Sequence, residues 1–396
     1  MKNNFILKYK YFILLLILLI FLYFYLKNKL SFENFENSNS QVSTYYKCSE
    51  KPISPILESI FKKYNIVHSE KNSSNKMYSN NSNSWDLYIP CGYNFVENEL
   101  PTVSISSSPK QLFIFGINGC DKMVSKNNIW SVLKKYYGFD GASKIMPSSY
   151  VLEDDNEMKL FKRDFIQDKI YILKKNVQRK EGLKLTKDFD VIINAKKEDY
   201  KVVQNYITNL YLINDRKVNL RVYLLIVLNT DNKKFFVSDL GKCIYTNKKY
   251  NDNDLDFESN ITSYHLDMSV YKENPRTFDE LRSYINNKEN NPNSGSLFFL
   301  KVNEILQKMC IAISNELYQS QNIRDRNAIS FQLFGVDIIM DDQLNPYLLE
   351  VNKGPDMSAR DDEDKVMKTI VQTHMLEKVG VIQDDAIHST NVFKEI

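Results

Sequence analysis

The sequence predicts an α+β fold of the mixed α/β kind, in which antiparallel sheets dominate. Apolar runs of strand length alternate irregularly with helical stretches near residues 127–137, 297–319 and 362–376. Residues 334–352, FGVDIIMDDQLNPYLLEVN, place two such runs on either side of a turn-rich segment, which is typical of a β-hairpin. No internal repeat is present. A chain of 396 residues, 43% of them hydrophobic, suffices for one large domain or two smaller ones.

Net charge and cysteine content argue against several classes of protein. The formal net charge is only +3, too small to indicate a nucleic acid as the partner. The five cysteines are odd in number and widely spaced, and no two of them form a CxxC pair. The sequence therefore predicts neither a disulfide framework nor a zinc site, and it favours a reducing compartment.

Residues 1–30 are predicted to form an N-terminal membrane anchor. Residues 11–26, YFILLLILLIFLYFYL, are sixteen uncharged residues between Lys10 and Lys27. A bilayer span takes about 17 to 25 residues, but the flanking lysines can extend towards the interface. A cleaved signal peptide would show small residues after the apolar run, and a buried core helix would not carry lysines at both ends. The prediction is a single-pass membrane protein with an uncleaved anchor.

The next region, residues 31–84, is rich in serine and asparagine and is predicted to be a linker. A short helical pattern at residues 55–64, PILESIFKKY, interrupts it. Aromatic and apolar residues return at Trp85, so the folded domain is predicted to occupy residues 85–385 and to be followed by a C-terminal tail, residues 386–396.

A basic stretch between Lys159 and Lys187 contains ten lysines or arginines against three acidic residues. Within it, IYILKKNVQRKEGLKL places Lys174 at the end of a strand and follows it with a loop that contains Gly182. Such a loop could close over phosphate groups. The alternative is a basic surface that only faces solvent.

A second polar pattern lies on the strand predicted from DRKVNLRVYLLIVL. Lys217, Asn219 and Arg221 alternate with apolar residues, so one face of the strand is polar and the other apolar. The two cations are suitable phosphate ligands. A surface strand with exposed charges is the alternative.

The predicted hairpin brings acidic groups together. If residues 341–346 form the loop and Met340 faces Tyr347, then Asp337 lies opposite Glu350, and Asn352 shares the face of Glu350. Two carboxylates so close repel each other unless a cation lies between them, and Mg²⁺ prefers oxygen ligands of this kind. The alternative is a pair of edge-strand charges that face water.

Together these stretches resemble the tubulin-tyrosine ligase-like family, ATP-grasp enzymes that join an amino acid to a protein acceptor. The resemblance runs from about Trp85 to about Val379. It is carried by YILKKNVQRKEGLKL, by DRKVNLRVYLLI and above all by FQLFGVDIIMDDQLNPYLLEVNKGP. The last stretch is similar to the family's Phe-Glu-Leu-Phe-Gly-x-Asp followed by Leu-Leu-Glu-x-Asn. The fold implied is an ATP-grasp fold whose antiparallel sheets sandwich the nucleotide, here preceded by one transmembrane helix.

The resemblance also implies roles for individual residues. The Mg²⁺ ligands would be Asp337, Glu350 and Asn352. The catalytic cations that neutralise the transferring phosphoryl group would be Lys174 and Arg221. The remaining nucleotide contacts would come from the loop, the hinge that holds the adenine, and the strand of Arg221: Arg179, Gly182, Gln204, Asn205, Tyr206, Ile207 and Lys217. A family lysine of the N-terminal lobe falls on Lys126.

Three positions depart from the family pattern. The aspartate of the family's Lys-x-Asp-x-Arg strand is Asn219 here, and Lys180 replaces one glycine of the loop. The family's His-Leu-Thr-Asn appears as His265-Leu266-Asp267-Met268. Because the altered strand and His-Leu-Thr-Asn positions lie near the nucleotide in the family, we hypothesise that Asp267 supplies the carboxylate that is missing at position 219.

The function implied is an ATP- and Mg²⁺-dependent ligation through an acyl phosphate. The partners would be a free amino acid and a protein acceptor with an acidic tail, for which tubulin is a candidate. The residues do not select glutamate, glycine or tyrosine as the amino acid. Two alternatives stay open: a membrane-tethered nucleotide-binding pseudoenzyme or scaffold, and an ATP-grasp ligase that acts on a small molecule. Use of ATP favours a cytosolic catalytic domain, although the lysines around residues 11–26 favour a cytosolic N-terminus.

Overall fold

The computed structural model describes residues 42–48, 51–69, 85–92, 96–103, 105, 110–177, 182–230, 232–262, 266–383 and 391–396. Its strands are Thr44–Tyr46 (β1), Val67–His68 (β2), Leu87–Tyr88 (β3), Phe113–Ile114 (β4), Ser149–Val151 (β5), Tyr171–Lys174 (β6), Leu183–Thr186 (β7), Val202–Asn205 (β8), Val218–Leu228 (β9), Lys233–Tyr245 (β10), Ile329–Met340 (β11), Pro346–Asn352 (β12) and Phe393–Glu395 (β13). Its α-helices are Pro55–Lys63 (α1), Val96–Glu99 (α2), Asp121–Val124 (α3), Lys126–Ser143 (α4), Asp155–Asp164 (α5), Phe189–Asn194 (α6), Phe257–Asn260 (α7), Phe278–Lys288 (α8), Ser294–Ile313 (α9), Gln321–Arg324 (α10) and Asp362–Val379 (α11).

The strands form two sheets, and the mixed α/β class predicted from the sequence is confirmed. The larger sheet has the order β13, β10, β9, β11, β4, β3, β1, β2, and β12 pairs with β11. Its β9, β10, β11, β12 and β13 pair antiparallel, whereas β4, β3, β1 and β2 extend β11 by parallel pairs. The smaller sheet, β5, β8, β6, β7, is antiparallel throughout. The prediction of antiparallel sheets therefore holds for the smaller sheet, while the larger one is mixed.

Strand β9 shows how the sequence alternation positions the core. Its even-numbered residues, from Val218 to Leu228, pack against apolar residues of α8 and α9. The odd-numbered residues face the other way, and there Tyr223 and Leu225 pack with residues of α1 and α11. Near the beginning of β9 this second face is polar, because Asn219 and Arg221 lie there. One strand therefore contributes to two cores and to a polar surface at one end.

The described part of the predicted linker is packed against the large sheet. Helix α1 begins after Ser54, whose side chain accepts a hydrogen bond from the backbone N–H of Leu57, and Pro55 occupies the first turn. Its apolar side is buried in the same core as α11, and β1 pairs with β3. Composition alone suggested a linker here because the serines and asparagines of residues 71–84 dominate the average.

Two cysteines are brought together by the parallel strands β1 and β3. Tyr46 lies opposite Tyr88 in that pair, and Cys48 and Cys91 follow just beyond it. They form a disulfide with Cα atoms 5.4 Å apart. The prediction that the cysteines form no disulfide is therefore wrong, because a separation of 43 residues conceals a contact that only the sheet creates. Three further cysteines are buried free thiols: Cys120, Cys243 and Cys310.

The prediction of a single-pass membrane protein is corrected by the structure. In the part of the chain that the structure describes, no helix is both long enough and apolar enough to cross a bilayer. Residues 11–26, on which the prediction depended, lie outside the described residues.

Candidate functional site

A row of four charged side chains crosses the antiparallel half of the large sheet. Asp337 of β11 lies opposite Glu350 of β12 on one side and opposite Arg221 of β9 on the other. Arg221 in turn lies opposite Lys242 of β10. Directly opposed residues share a face of the sheet. Two carboxylates are therefore followed by two cations along one line across the strands.

The centre of the row is a bidentate ion pair. Arg221 donates from Nε to Oδ1 of Asp337 over 2.6 Å and from Nη2 to Oδ2 over 3.1 Å. Burial raises the pKa of Asp337, Arg221 opposes this rise, and Glu350 adds to it. Arg221 thus holds the carboxylate of Asp337 in a fixed orientation. One arginine does not fully compensate the two neighbouring negative charges of Asp337 and Glu350.

Glu350 is contacted from two sides. Lys126, at the beginning of α4, places Nζ 3.6 Å from its Oε2, and Asn352 donates from Nδ2 to its Oε1 over 3.3 Å. Burial acts to raise the pKa of Glu350, but Lys126, Lys174 and Arg221 outweigh it, and the pKa lies below its ordinary value. Glu350 is therefore held as a carboxylate beside Asp337.

The pairing near the turn of the hairpin differs from the predicted pairing. Met340 pairs with Pro346 rather than with Tyr347, and a β-bulge between Asp337 and Ile338 shifts the strands by one residue. As a result Asp337 lies opposite Glu350, as the sequence predicts. The bulge also turns the end of β12, from Glu350 onwards, relative to the rest of the hairpin.

Lys174 approaches the row from the smaller sheet. It ends β6, is 5% exposed, and donates from Nζ to the carbonyl of Leu349 over 3.2 Å. Burial lowers its pKa to about 8, with Glu350 opposing the fall and Lys126 adding to it. The two sheets therefore meet at the end of β12, where a buried ammonium lies one residue from Glu350.

The loop that follows Lys174 is closed at its base and fastened to α4. Lys175 donates its backbone N–H to the carbonyl of Gly182 over 2.8 Å. Lys126 donates from Nζ to the carbonyl of Val177 over 3.0 Å and from its backbone N–H to Oδ1 of Asn176 over 3.0 Å. A Cβ at Gly182 would lie 2.4 Å from Cγ2 of Val177, so a side chain at this position would displace that valine. Arg179, predicted in this loop, lies outside the described residues.

The predicted hinge lies where β8 ends. Gln204 is buried and donates to the carbonyl of Pro147 and to Oγ of Ser149, so its side chain is used by the fold. Asn205 donates its backbone N–H to the carbonyl of Ser148. Tyr206 is buried and Ile207 is half-buried. These contacts fix the segment between the two sheets.

Lys217 is tied to this hinge. It is 5% exposed and donates from Nζ to the hydroxyl of Tyr206 over 3.1 Å and to the carbonyl of Asn260 over 2.9 Å. Its ammonium also lies 4.4 Å from the centre of the Tyr206 ring. Burial, with a further contribution from the charge of Lys174, lowers its pKa to about 7. A buried cation without a carboxylate partner in these contacts suits an anionic ligand.

Asn219 and Asp267 occupy different surroundings. Asn219 donates from Nδ2 to Oγ1 of Thr262 over 3.0 Å, and its Oδ1 is buried with no hydrogen-bond donor among the described residues. Asp267 accepts from the backbone N–H of Ser269 and caps the 3₁₀ turn Met268–Lys272. It lines a cleft together with Asp356 and Arg360. The contact between a nucleotide and Asp267 stays a prediction.

Two groups of buried charges that support the row were not found from the sequence. Asp364, fully buried at the beginning of α11, accepts from Lys242 over 3.1 Å and from Lys368 over 3.0 Å. Lys353, which follows Asn352, is 3% exposed and is ion-paired with Asp121. A lysine directly after the carboxylate motif was the available signal for Lys353, whereas the partners of Lys242 come from a helix more than a hundred residues away.

Gly335 leaves room beside the charge row for two neighbouring side chains, those of Pro355 and Arg221. It lies opposite Asn352 on one side and opposite Tyr223 on the other. A Cβ there would lie 3.0 Å from Cβ of Pro355 and 3.1 Å from Cδ of Arg221. The missing side chain therefore leaves the space that the arginine stem and the proline share.

The donor set fits Mg²⁺. Asp337, Glu350 and Asn352 offer carboxylate and amide oxygens on adjacent strands, which is the ligand type that this ion prefers. The raised pKa of Asp337 reflects burial beside a like charge, and a divalent cation between the two carboxylates would relieve that repulsion. Glu97 and Asp121 form a second acidic cluster. There the ammonium of Lys353 already pairs with Asp121 and takes the place that a metal ion would have.

Comparison with known proteins identifies the family. Residues 114–388 match the tubulin-tyrosine ligase family. The chain is 27% identical over 266 residues to a probable tubulin polyglutamylase, ttll-9, of Caenorhabditis elegans, a match that covers 63% of this chain and 61% of the relative. It is 30% identical over 190 residues to the probable tubulin polyglutamylase TTLL9 of Rattus norvegicus, covering 46% and 39%.

A third relative is the tubulin polyglutamylase TTLL7 of Homo sapiens, 24% identical over 288 residues, covering 67% of this chain and 32% of the relative. The chain thus spans less than two thirds of the length of each of these three relatives. The family match includes all four charges of the row, Lys174 and the hinge. The chain therefore belongs to the tubulin-tyrosine ligase family.

Proposed function

We propose that this protein is an ATP- and Mg²⁺-dependent ligase that forms an amide bond between a free amino acid and a protein acceptor. The observation that carries the proposal is the charge row, in which Asp337 and Glu350 lie beside Arg221 with Lys174 at the strand end. Such a set combines oxygen ligands for a cation with fixed positive charges for phosphate groups. Its fold, with two sheets meeting at this point, supports an ATP-grasp arrangement in which the nucleotide lies between them.

The proposed reaction has two steps. A carboxylate oxygen of the acceptor attacks the γ-phosphorus of ATP, the bond to the bridging oxygen breaks, and ADP leaves. The amine of the amino acid then attacks the carbonyl carbon of the acyl phosphate, phosphate leaves, and the nitrogen loses a proton as the amide forms.

The residues of the chain supply position and charge in both steps. Mg²⁺, when bound, would neutralise charge on the phosphate oxygens. Arg221 is held by Asp337 at a fixed place in the row, and Lys174 is held by the carbonyl of Leu349, so neither has to reorganise. Lys217 is fixed against the hinge and adds a third cation. The loop between Lys174 and Gly182 would exclude water that could hydrolyse the intermediate.

The acceptor is proposed to be a protein with an acidic tail, with tubulin as the first candidate. The names of the relatives, tubulin polyglutamylases, support glutamate as the amino acid and tubulin as the acceptor. The basic stretch from Lys159 to Lys187 would attract an acidic chain through long-range electrostatics.

A direct test uses the full-length protein with Mg²⁺-ATP, labelled amino acids and purified tubulin. We expect ADP release that depends on the acceptor and label incorporated into protein. Glu350→Gln removes one carboxylate of the row and should lower the rate about 100-fold or more, as expected for loss of a group that stabilises transferring charge. Glu304→Gln, an exposed carboxylate on α9, serves as the matched control and should leave the rate unchanged.

Three outcomes would contradict the proposal. Label in a product of low mass would indicate a ligase for small molecules. Binding of Mg²⁺-ATP without ADP release would indicate a nucleotide-binding scaffold. Asn219, whose Oδ1 has no hydrogen-bond donor among the described residues, would support that interpretation. Equal rates for Glu350→Gln and the wild type would show that the row is not the site of the reaction.

A further inference from the structure

The Cys48–Cys91 disulfide lies just beyond the carboxyl ends of the parallel strands β1 and β3. Its two halves differ in exposure, since Cys48 is buried and Cys91 is half-buried. The sulfur of Cys91 is therefore the more accessible one to a thiolate in solution. The free thiols are protected by comparison, because burial raises the pKa of each of them: Cys120, Cys243 and Cys310.

Contacts other than the disulfide keep the two cysteines side by side. The rings of Tyr46 and Tyr88 stack with their centres 5.3 Å apart, and Lys47 donates from Nζ to the carbonyl of Pro90 over 2.6 Å. These contacts do not depend on the bond between the sulfurs. The Cα atoms of the pair, 5.4 Å apart, are within the usual range for a disulfide, so a reduced pair can be oxidised again without movement of the backbone.

Helix α2 connects Cys91 to the segment that precedes α4. Glu99, the last residue of α2, accepts from the backbone N–H of Cys91 at Oε1 over 3.1 Å and at Oε2 over 3.0 Å. Glu97 of the same helix accepts from the backbone N–H of Gly119 over 2.9 Å and from that of Asp121 over 3.4 Å. A single helical turn is therefore bonded to Cys91 at one end and to residues 119–121 at the other.

We propose that Cys48 and Cys91 form a redox switch that determines how firmly α2 and the segment before α4 are held on the sheet. In the oxidised form the bond joins residues separated by 43 positions and fixes the backbone N–H that binds Glu99. In the reduced form only noncovalent contacts hold Cys91. Because Asp121 pairs with Lys353, the effect extends to the end of β12. The inference goes beyond the proposed function, since neither form of the pair takes part in ligation.

The switch operates by exchange with a dithiol reductant. One thiolate of the reductant attacks Sγ of Cys91, the bond between the two cysteines breaks, and Sγ of Cys48 leaves and takes up a proton. The second thiol of the reductant loses its proton, attacks the mixed disulfide and releases Cys91, which takes up a proton. Two electrons pass from the dithiol, which becomes a cyclic disulfide, to the cysteine pair. A small-molecule disulfide reverses the exchange.

The test compares the full-length protein after incubation with dithiothreitol and with oxidised glutathione. Each sample is quenched in acid, unfolded and alkylated, and we expect three alkylated cysteines in the oxidised form and five in the reduced form. Reduction should lower the midpoint of thermal unfolding by about 5 °C or more. Backbone amides of residues 119–124 should exchange with deuterium about threefold faster or more, whereas those of α9, which packs on the other face of the sheet, should not change.

Two serine variants separate the switch from general effects of the reductant. Cys91→Ser keeps the backbone N–H that binds Glu99 and cannot form the bond, so it should resemble the reduced wild type whether or not reductant is present. Cys310→Ser, which removes a buried free thiol of α9, is the matched control and should keep the full difference between the two forms.

Five alkylated cysteines after incubation with oxidised glutathione would overturn the inference, because the bond would not form. Three after incubation with dithiothreitol would overturn it as well, because the reductant would not reach the bond in the folded protein. Equal exchange of residues 119–124 in the two forms would show that the bond does not control this segment. If Cys91→Ser does not fold, the comparison of the oxidised and reduced wild type decides.

Discussion

Lys217 is a buried ammonium whose charge depends on pH close to neutrality. Its pKa lies at about 7 rather than 10.5, because of burial and the charge of Lys174. Between these two values the unfolded chain binds more protons at this position than the folded protein, so the contribution of Lys217 to folding stability increases as the pH rises. A nearby anionic ligand reverses the preference, since it favours the charged form.

We therefore expect Mg²⁺-ATP to bind with uptake of protons and to bind more weakly as the pH rises from about 7 to about 9. Calorimetry in buffers of different ionisation enthalpy measures the uptake. Lys217→Met should reduce it, while Lys135→Met, which removes an exposed lysine of α4, should not. Equal uptake by the wild type and Lys217→Met would show that this ammonium does not face the nucleotide.

At the scale of the element, the end of β12 is fastened to the segment that precedes α4. The side chain of Lys353 pairs with Asp121, and its carbonyl accepts from Nε2 of Gln332 over 2.9 Å. Oε1 of the same glutamine accepts from the backbone N–H of Ile117 over 3.1 Å. These contacts hold Asn352 and Glu350 at a fixed distance from Lys126 at the beginning of α4.

Lys353→Met should cost about 1 to 3 kcal/mol of folding free energy, measured from urea unfolding. The loss is smaller than that of a fully buried pair because the side chain of Asp121 is 51% exposed and can be hydrated. The Mg²⁺ concentration needed for half-maximal ADP release should also rise, since Asn352 is the adjacent residue. Lys122, an exposed lysine next to Asp121 in the chain, provides a control. Lys122→Met should change the free energy of unfolding by less than about 0.5 kcal/mol. A Lys353→Met protein as stable as this control would refute the argument.

Sequence reasoning succeeded where a local pattern determines the geometry. The period-two alternation of β9 was enough to place Asn219 and Arg221 on one face. The pairing of Asp337 with Glu350 was predicted from a contact between Met340 and Tyr347 that the structure does not contain, and it holds because a bulge restores the register. Sequence reasoning did not foresee this bulge, because a bulge leaves no distinct mark in an apolar run.

Contacts between distant segments could not be predicted in the same way. Asp364 has no pattern around it that points to Lys242, since the two meet only when α11 packs on the sheet. The C-terminal strand β13, which pairs with β10, lies within residues 386–396, which were predicted to form a tail. Likewise, the low apolar content of residues 31–84 concealed the buried side of α1.

At the scale of the whole molecule, helix α1, which precedes Trp85 in the chain, is part of the core. Phe61 and Ile60 of α1 are buried with Val371 and Met375 of α11. Helix α11 in turn supplies Asp364, which holds Lys242 beside Arg221. Removal of α1 would therefore expose apolar surface and loosen the helix that supports one end of the charge row.

Compared with a chain that begins at Gln41, a chain that begins at Trp85 should unfold at a lower temperature and should associate through the exposed face. Phe61→Ala tests the same packing without a truncation and should cost about 3 to 5 kcal/mol. Thermal unfolding and size-exclusion chromatography measure these effects. An unchanged melting temperature for the chain that begins at Trp85 would show that α1 is dispensable.

Gly335 has no side chain that could bind a ligand, yet its position predicts how the sequence can vary. Any side chain there would displace either Pro355 or the stem of Arg221. In a saturation screen for activity, position 335 should thus tolerate as few substitutions as the charged positions of the row. Even alanine, the smallest replacement, would separate the strand that orients the arginine from the segment that forms the cleft.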